Sequence, residues 1–214
     1  MRRVLPALVT GRAAGQVAVL VLGAVLTLAA CSPDSVPAPG PARIDVDTPQ
    51  LRELKREAGV ERCVPGTADP VAGGLPDVTL PCLGGGRDVD LAALRGPMLV
   101  SLWASWCGPC RHELPVLQQF HERYGHRVAV LGIDYTDPQT VAALELVRDS
   151  GVTYPLLADP QSALSAEEPF PVLKGMPFFA LVGADGTVVH QEFGGIESER
   201  QLVELVRDEL GVTL

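Results

Sequence analysis

The chain has 214 residues, with 26 acidic and 17 basic side chains and a formal net charge of −9. That acid surplus excludes a nucleic-acid binder, which needs a basic patch to meet phosphate. It also excludes charge-driven adhesion to anionic lipid. The length allows one domain with accessory segments.

Arg2, Arg3 and Arg12 precede an apolar run from about Ala18 to Ala30, which is the pattern of an export signal over residues 1–30. The run ends in Leu28-Ala29-Ala30-Cys31, directly before Ser32-Pro33-Asp34. This resembles the bacterial lipobox, which implies that Cys31 becomes the lipid-bearing first residue. An ordinary signal peptide, or an uncleaved anchor helix with Cys31 incidental, is the alternative. Removing residues 1–30 removes three arginines and no acid, leaving 14 basic against 26 acidic side chains and a charge of −12. Export places the remaining cysteines where disulfides persist.

Residues 31–47 are rich in Pro, Ser and Gly and read as an extended tether. Residues 48–70 form an N-terminal helical extension. Thr48 caps its helix, Pro49 sits in the first turn, Leu51, Leu54 and Ala58 share a face, and Gly59 ends it. This helix is short enough to need docking on the domain. Asp77 to Leu80 is a short strand, Gly84-Gly85-Gly86 a turn, and Leu91 to Leu94 a single helical turn. Residues 97–104 are apolar almost throughout, as in a strand buried on both faces. A helix follows Cys107 to about Tyr124, with Leu114, Leu117 and Phe120 on one side and Pro115 kinking it. Val128 to Asp134 is a second buried strand. Asp137-Pro138 starts a helix carrying Val141, Leu144 and Val147 and ending near Gly151, with Asp137 as its cap. Thr153 to Leu157 is a strand. Phe178 to Val182 and Thr187 to Phe193 form a hairpin around Ala184-Asp185-Gly186. Ser198 and Gln201 make a capping box for a last helix with Leu202, Leu205, Val206 and Leu210, and Gly211 lies beyond it. The alternation implies an α/β protein with a central mixed sheet covered on both faces.

The chemistry concentrates in Trp106-Cys107-Gly108-Pro109-Cys110, between the buried strand and the helix. Two cysteines at this spacing can open and close a disulfide with little backbone movement. A helix start favours the thiolate of the first, which is the nucleophile. A zinc site would need further Cys or His ligands, and the strand–helix context opposes one. His112, His121, His126 and His190 show no metal spacing and read as surface. No metal and no cofactor beyond the redox disulfide is expected.

The stretch Trp103-Ala-Ser-Trp106-Cys107-Gly-Pro-Cys110-Arg-His-Glu113-Leu-Pro115 resembles the active-site segment of the membrane-tethered TlpA/ResA/CcmG(DsbE)-like thiol–disulfide oxidoreductases. The resemblance implies a thioredoxin-like fold over residues 71–214, with a βα insertion near 128–157. It implies that Met176-Pro177 is a cis-proline segment facing the disulfide, and that Gly194-Gly195 lies by the substrate groove. Cys107 would be the nucleophile at the exposed helix start and Cys110 the buried resolving thiol. Trp106 would cover the disulfide, and Trp103 would be core. Thioredoxin's buried Asp is replaced here by Ser101, which cannot act as a base. Glu113 shares the helix face of Cys110 and would manage its proton; the alternative is a solvated surface glutamate. The implied partners are exported protein thiols and disulfides and a membrane electron donor or acceptor. An apocytochrome c is the implied client of a reductase. A disulfide-forming oxidase or isomerase of the same fold is the first competing function. The second is a copper-delivery module, which typically needs CxxxC and a His.

Cys63 and Cys82 remain. In an exported protein they most simply pair with each other. Such a clip would contribute roughly 3 kcal/mol through chain entropy. The alternative is a second redox pair relaying electrons to or from Cys107–Cys110.

Overall fold

A computed structural model describes residues 39–165, 167, 168, 170 and 175–214. The expected export signal, Cys31 and the start of the expected tether lie outside the described residues. No described helix is long and apolar enough to cross a membrane.

The first helix, α1 (Pro49–Ala58), starts where Thr48 accepts from the backbone N–H of Leu51 and stops at Gly59 in the left-handed region. A two-residue hairpin, β1 (Thr79–Leu80) and β2 (Val89–Asp90), leads into a 3-10 turn at Leu91–Ala93. Then come β3 (Met98–Trp103), α2 (Cys110–Tyr124), β4 (Ala129–Tyr135), α3 (Thr140–Asp149) and β5 (Leu156–Asp159). The hairpin β6 (Phe178–Val182) and β7 (Val188–Phe193) and the helix α4 (Glu199–Leu210) complete the chain. The five long strands form one mixed sheet in the order β5-β4-β3-β6-β7. Strands β3, β4 and β5 are parallel; β6 is antiparallel to β3, and β7 to β6.

Side chains alternate between the two faces as the pleat requires. Leu99, Trp103, Val130, Phe179 and Leu181 meet Leu114, Leu117, Leu144, Val147, Leu202 and Val206 from the helices. Val100, Leu102, Leu131, Ile133, Phe178 and Ala180 meet the β1–β2 hairpin, the 3-10 turn and Phe170. Both faces are thus covered, but α2, α3 and α4 share one of them. The two parallel crossovers, β3 to β4 and β4 to β5, step in the same direction across the sheet. Right-handed connections therefore put α2 and α3 on the same side. Helix α1 docks against α3.

Two element starts and one cap depart from the sequence expectation for identifiable reasons. Helix α3 starts at Thr140, because Pro138 has no N–H and the Asp137 carboxylate turns away to bind Ser105 and Gln139. Strand β5 starts at Leu156 rather than Thr153. Thr153 instead receives the N–H of Glu61 on its carbonyl and gives its own N–H to Gln118, and Pro155 follows. In the α4 capping box Ser198 accepts from Gln201, but the Gln201 side chain reaches back to the N–H of Glu197.

Gly132, in the middle of β4, has no room for a side chain. A Cβ there would lie 2.6 Å from Leu156 Cδ2, 3.0 Å from Trp103 Nε1 and 3.1 Å from Tyr154 Cε2. All three neighbours are fully buried and have nowhere to move. Gly132→Ala is expected to destabilise the protein by about 2 kcal/mol, as overpacking does, measured as a lowered urea midpoint at unchanged slope.

Candidate active site

Leu102 at the end of β3 pairs with Phe178 at the start of β6. Because the two strands run oppositely, the chain leaving β3 and the chain entering β6 emerge at the same end of the sheet. The first supplies Cys107, the second Met176 and Pro177. The Met176–Pro177 bond is cis, as the resemblance implies; a second cis bond, Gly96–Pro97, is not signalled by the sequence.

Cys107 and Cys110 are joined as a disulfide with a Cα separation of 5.4 Å. The N–H of Cys110, the first residue of α2, donates to Cys107 Sγ at 3.2 Å. That contact supports a thiolate at Cys107 when the bond opens. Cys107 is 4% exposed and Cys110 is fully buried, so the expected exposed position of Cys107 is corrected. It precedes α2 in a turn closed onto Ala104, and Trp106 and Met176 pack against its cluster. Gly108 and Pro109 take the exposed positions instead.

The loop holding Cys107 is clamped by the one after β4. Trp106 Nε1 donates to the carbonyl of Thr136 at 3.3 Å. Ser105 donates its N–H to Asp137 Oδ2 at 2.6 Å, and its carbonyl accepts from Arg111 at 2.7 Å. Asp137 Oδ1 takes the N–H of Gln139. Asp137 is therefore not the helix cap expected of it, since α3 is capped at Gln139; it holds the loop that carries Cys107. Asp134 beside it is buried with no protein donor to either oxygen. Burial first, then the charge of Asp137, holds it well above the usual carboxylate range. Two acids just past a strand end were the available sequence signal.

Glu113 is 1% exposed, which rules out a solvated surface residue. Ser101 Oγ donates to its Oε2, and the N–H of Ile196 donates to its Oε1, both at 3.2 Å. Burial raises it to about 7, and the two hydrogen bonds oppose the shift without cancelling it. Both protonation states are thus populated near neutrality. The hydroxyl of Tyr154 is buried without a protein partner, and burial, followed by the charge of Glu113, pushes it up. A cavity of about 320 Å³ lined by Pro109, His112, Gly195, Ile196 and Glu197 reaches Glu113.

A smaller cavity of about 200 Å³ is bounded by Gly175, Met176, Pro177, Phe193 and Gly194. Gly194, in the left-handed region, donates its N–H to the Pro177 carbonyl. A Cβ on Gly195 would touch the Pro177 ring at 3.4 Å. Cys63 and Cys82 are also joined, with a Cα separation of 5.9 Å. They belong to the cluster on the face opposite Cys107 and Cys110, so no direct relay connects the two pairs within one molecule. His112 and His126 are exposed as expected, but His121 and His190 are half-buried, pairing with Glu61 and with Glu192 and Glu209. The larger packing surface of α2 and the side chains around β7 account for that difference.

A mixed sheet, a CxxC disulfide at the start of a helix and a cis-proline at the same sheet end define the class: a thioredoxin-like fold with a cysteine pair at its helix start. The chain belongs to the AhpC/TSA family, whose model matches residues 71–191. It is 34% identical over 125 residues to the thiol:disulfide interchange protein CycY of Rhizobium leguminosarum bv. viciae, covering 56% of this chain and 64% of that one. It is 27% identical over 112 residues to the thiol-disulfide oxidoreductase ResA of Bacillus thuringiensis (strain Al Hakam), covering 51% and 62%. The chain thus spans less than two thirds of the length of these curated relatives. The crystal structure of a thio-disulfide isomerase from Thermus thermophilus superposes with a TM-score of 0.52 at 27% identity, over 71% of this chain and all of that one.

The buried carboxyl of Glu113 has a signed effect on stability. Its ordinary value is 4.5 and the folded value about 7, so the folded state holds the proton more tightly. The stabilisation is complete below about pH 4.5 and is lost as pH rises through about 7. Glu113→Gln lacks this titration. Its stability relative to the parent is expected to rise by about 3 kcal/mol between roughly pH 4 and pH 8, read from urea unfolding at each pH.

Proposed function

We propose that the protein is an extracytoplasmic thiol–disulfide oxidoreductase that reduces disulfides of exported proteins. The observation that carries this is the Cys107–Cys110 pair with the buried, near-neutral carboxyl of Glu113 on the same helix. Cys107 as a thiolate attacks a client disulfide, forming a mixed disulfide and releasing one client thiolate. Glu113 accepts the proton of Cys110. Cys110 then attacks Cys107, closing the disulfide and releasing the second client sulfur. The oxidised pair is returned to the dithiol by a membrane electron donor. The names of CycY, DsbE and ResA relatives support an interchange activity, and an apocytochrome c is the client proposed. Lipid attachment at Cys31 would keep the domain at the membrane.

The reduction potential of Cys107–Cys110 in the full chain tests the direction. A value near thioredoxin's, about −270 mV, is expected; one near about −120 mV would mark an oxidant. Glu113→Gln should slow client reduction by roughly 10- to 100-fold at an unchanged fold. It should also remove the rise in rate with pH near about 7 that ionisation of Glu113 produces. Stopped-flow kinetics across the pH range reads both effects.

A further inference from the structure

The Cys63–Cys82 disulfide takes no part in the chemistry above, yet both of its sulfurs touch polar groups. The Nζ of Lys55 sits 2.8 Å from Cys82 Sγ and 2.9 Å from the carbonyl oxygen of Gly85. Cys63 Sγ sits 3.2 Å from the carbonyl oxygen of Leu156. A disulfide sulfur has no proton to offer a carbonyl. The reduced pair would use both contacts: a Cys63 thiol can donate to Leu156, and a Cys82 thiolate can accept from an ammonium.

The lysine is out of pattern. The chain has fifteen arginines but two lysines, Lys55 and Lys174, and Lys55 is the one buried cation among the described residues. Lysine is seldom buried without a partner. Its stem is pinned: a Cβ on Gly84 would lie 2.7 Å from Lys55 Cβ. The neighbouring chain also differs on the two sides of the bond. Leu83 and Ala158 hydrogen-bond across the segment carrying Cys82 to the edge of β5. Among the described residues, none of 62–67 makes a backbone–backbone hydrogen bond. Arg62 and Val64, either side of Cys63, are exposed. The chain around Cys63 is thus held by fewer backbone hydrogen bonds than that around Cys82, and its two neighbours reach solvent, which makes Cys63 the sulfur a reactant meets first.

We propose that Cys63–Cys82 is a second thiol–disulfide exchange site, in which a thiolate attacks Cys63 and Cys82 leaves as a thiolate held by Lys55. The reductant is a protein dithiol from another molecule, since Cys107 and Cys110 lie on the opposite face. Its first thiolate bonds to Cys63 Sγ, the Cys63–Cys82 bond breaks, and the electron pair stays on Cys82 Sγ. Its second thiol attacks its own sulfur in the mixed disulfide and releases Cys63, which takes the proton that thiol gives up. The partner ends as a disulfide, and this chain as a Cys63 thiol and a Cys82 thiolate.

Burial lowers Lys55 to about 8, against the opposing charge of Asp47, so it is mainly an ammonium at neutral pH. Asp47 is itself paired with Arg52. The other charged groups nearby, Glu53 and Arg56 on α1, Arg87 and Asp88 on the loop, and Arg148 and Asp149 on α3, lie partly or wholly in solvent.

The test uses the full chain with Cys107→Ser and Cys110→Ser, so that failure of the proposed reductase function cannot affect it. Opening by dithiothreitol is followed by site-resolved alkylation and mass spectrometry, with and without Lys55→Met. Loss of the ammonium should slow opening about tenfold near neutral pH. The ratio of the two rates should approach one above about pH 9, as Lys55 loses its proton. In the lysine-containing chain, glutathione adducts trapped at early times should sit on Cys63. Equal rates at all pH values, adducts on Cys82, or opening confined to urea concentrations that unfold the chain would each overturn the proposal.

Discussion

The antiparallel pairing of β6 with the central strand β3 is the constraint on which the site depends. Strand β3 is hydrogen-bonded on both sides and buried along its length, so its end is among the least mobile points of the molecule. It delivers the Cys107 loop to one end of the sheet. The oppositely directed β6 brings Pro177 to the same place with no further device. Gly194 and Gly195, leaving β7, close around that proline. The reacting sulfurs, the proline beside them and the cavities on either side are thus consequences of one strand register.

Around this frame the protein buries three acids, Glu113, Asp134 and Asp137. Glu113 has two donors for its two oxygens and so stays poised between protonation states. Asp134 has no protein donor, and burial holds it well above the usual carboxylate range, while Asp137 has two backbone donors and holds the neighbouring loop. The three carboxyls therefore differ through which donors meet them, a hydroxyl and a distant backbone N–H, none, or two loop N–H groups, and through burial. Ser101 stands where thioredoxin keeps a carboxylate. It supplies a hydroxyl donor to a carboxylate carried on the helix instead.

Much of this was legible in the sequence. The continuous apolar run of β3, the hairpin around Asp185-Gly186 and the capped helix at Ser198 each carry a strong local pattern, and each appears where that pattern puts it. The pairing of Cys63 with Cys82 followed from counting. Helix periodicity placed Glu113 on the face of Cys110, but the depth of its burial depends on Ile196, 83 residues away. Asp137 is a similar case: the local pattern made it a helix cap, but α3 is capped at Gln139 and the bond of Asp137 to Ser105 crosses 32 residues. The start of β5 was misplaced because Thr153 satisfies its backbone and side chain against α2 and Glu61, a competition no local window contains. Burial of Cys107 likewise reflects a cluster assembled from distant segments, with Trp106 and Met176 packed against it.

The segment Pro81–Leu83 runs along the outer side of β5, exchanging backbone hydrogen bonds with Leu156 and Ala158. That edge of the sheet is consequently closed. On the other side Gly73 and Gly74 cover β7 only as far as Val188, so the described sheet ends in a free edge over Val189–Phe193. A sheet with one open edge has no polarity for growth. A second copy adding its own strand at β7 would leave no edge for a third, so self-association through the backbone stops at a two-fold pair instead of propagating into a fibre.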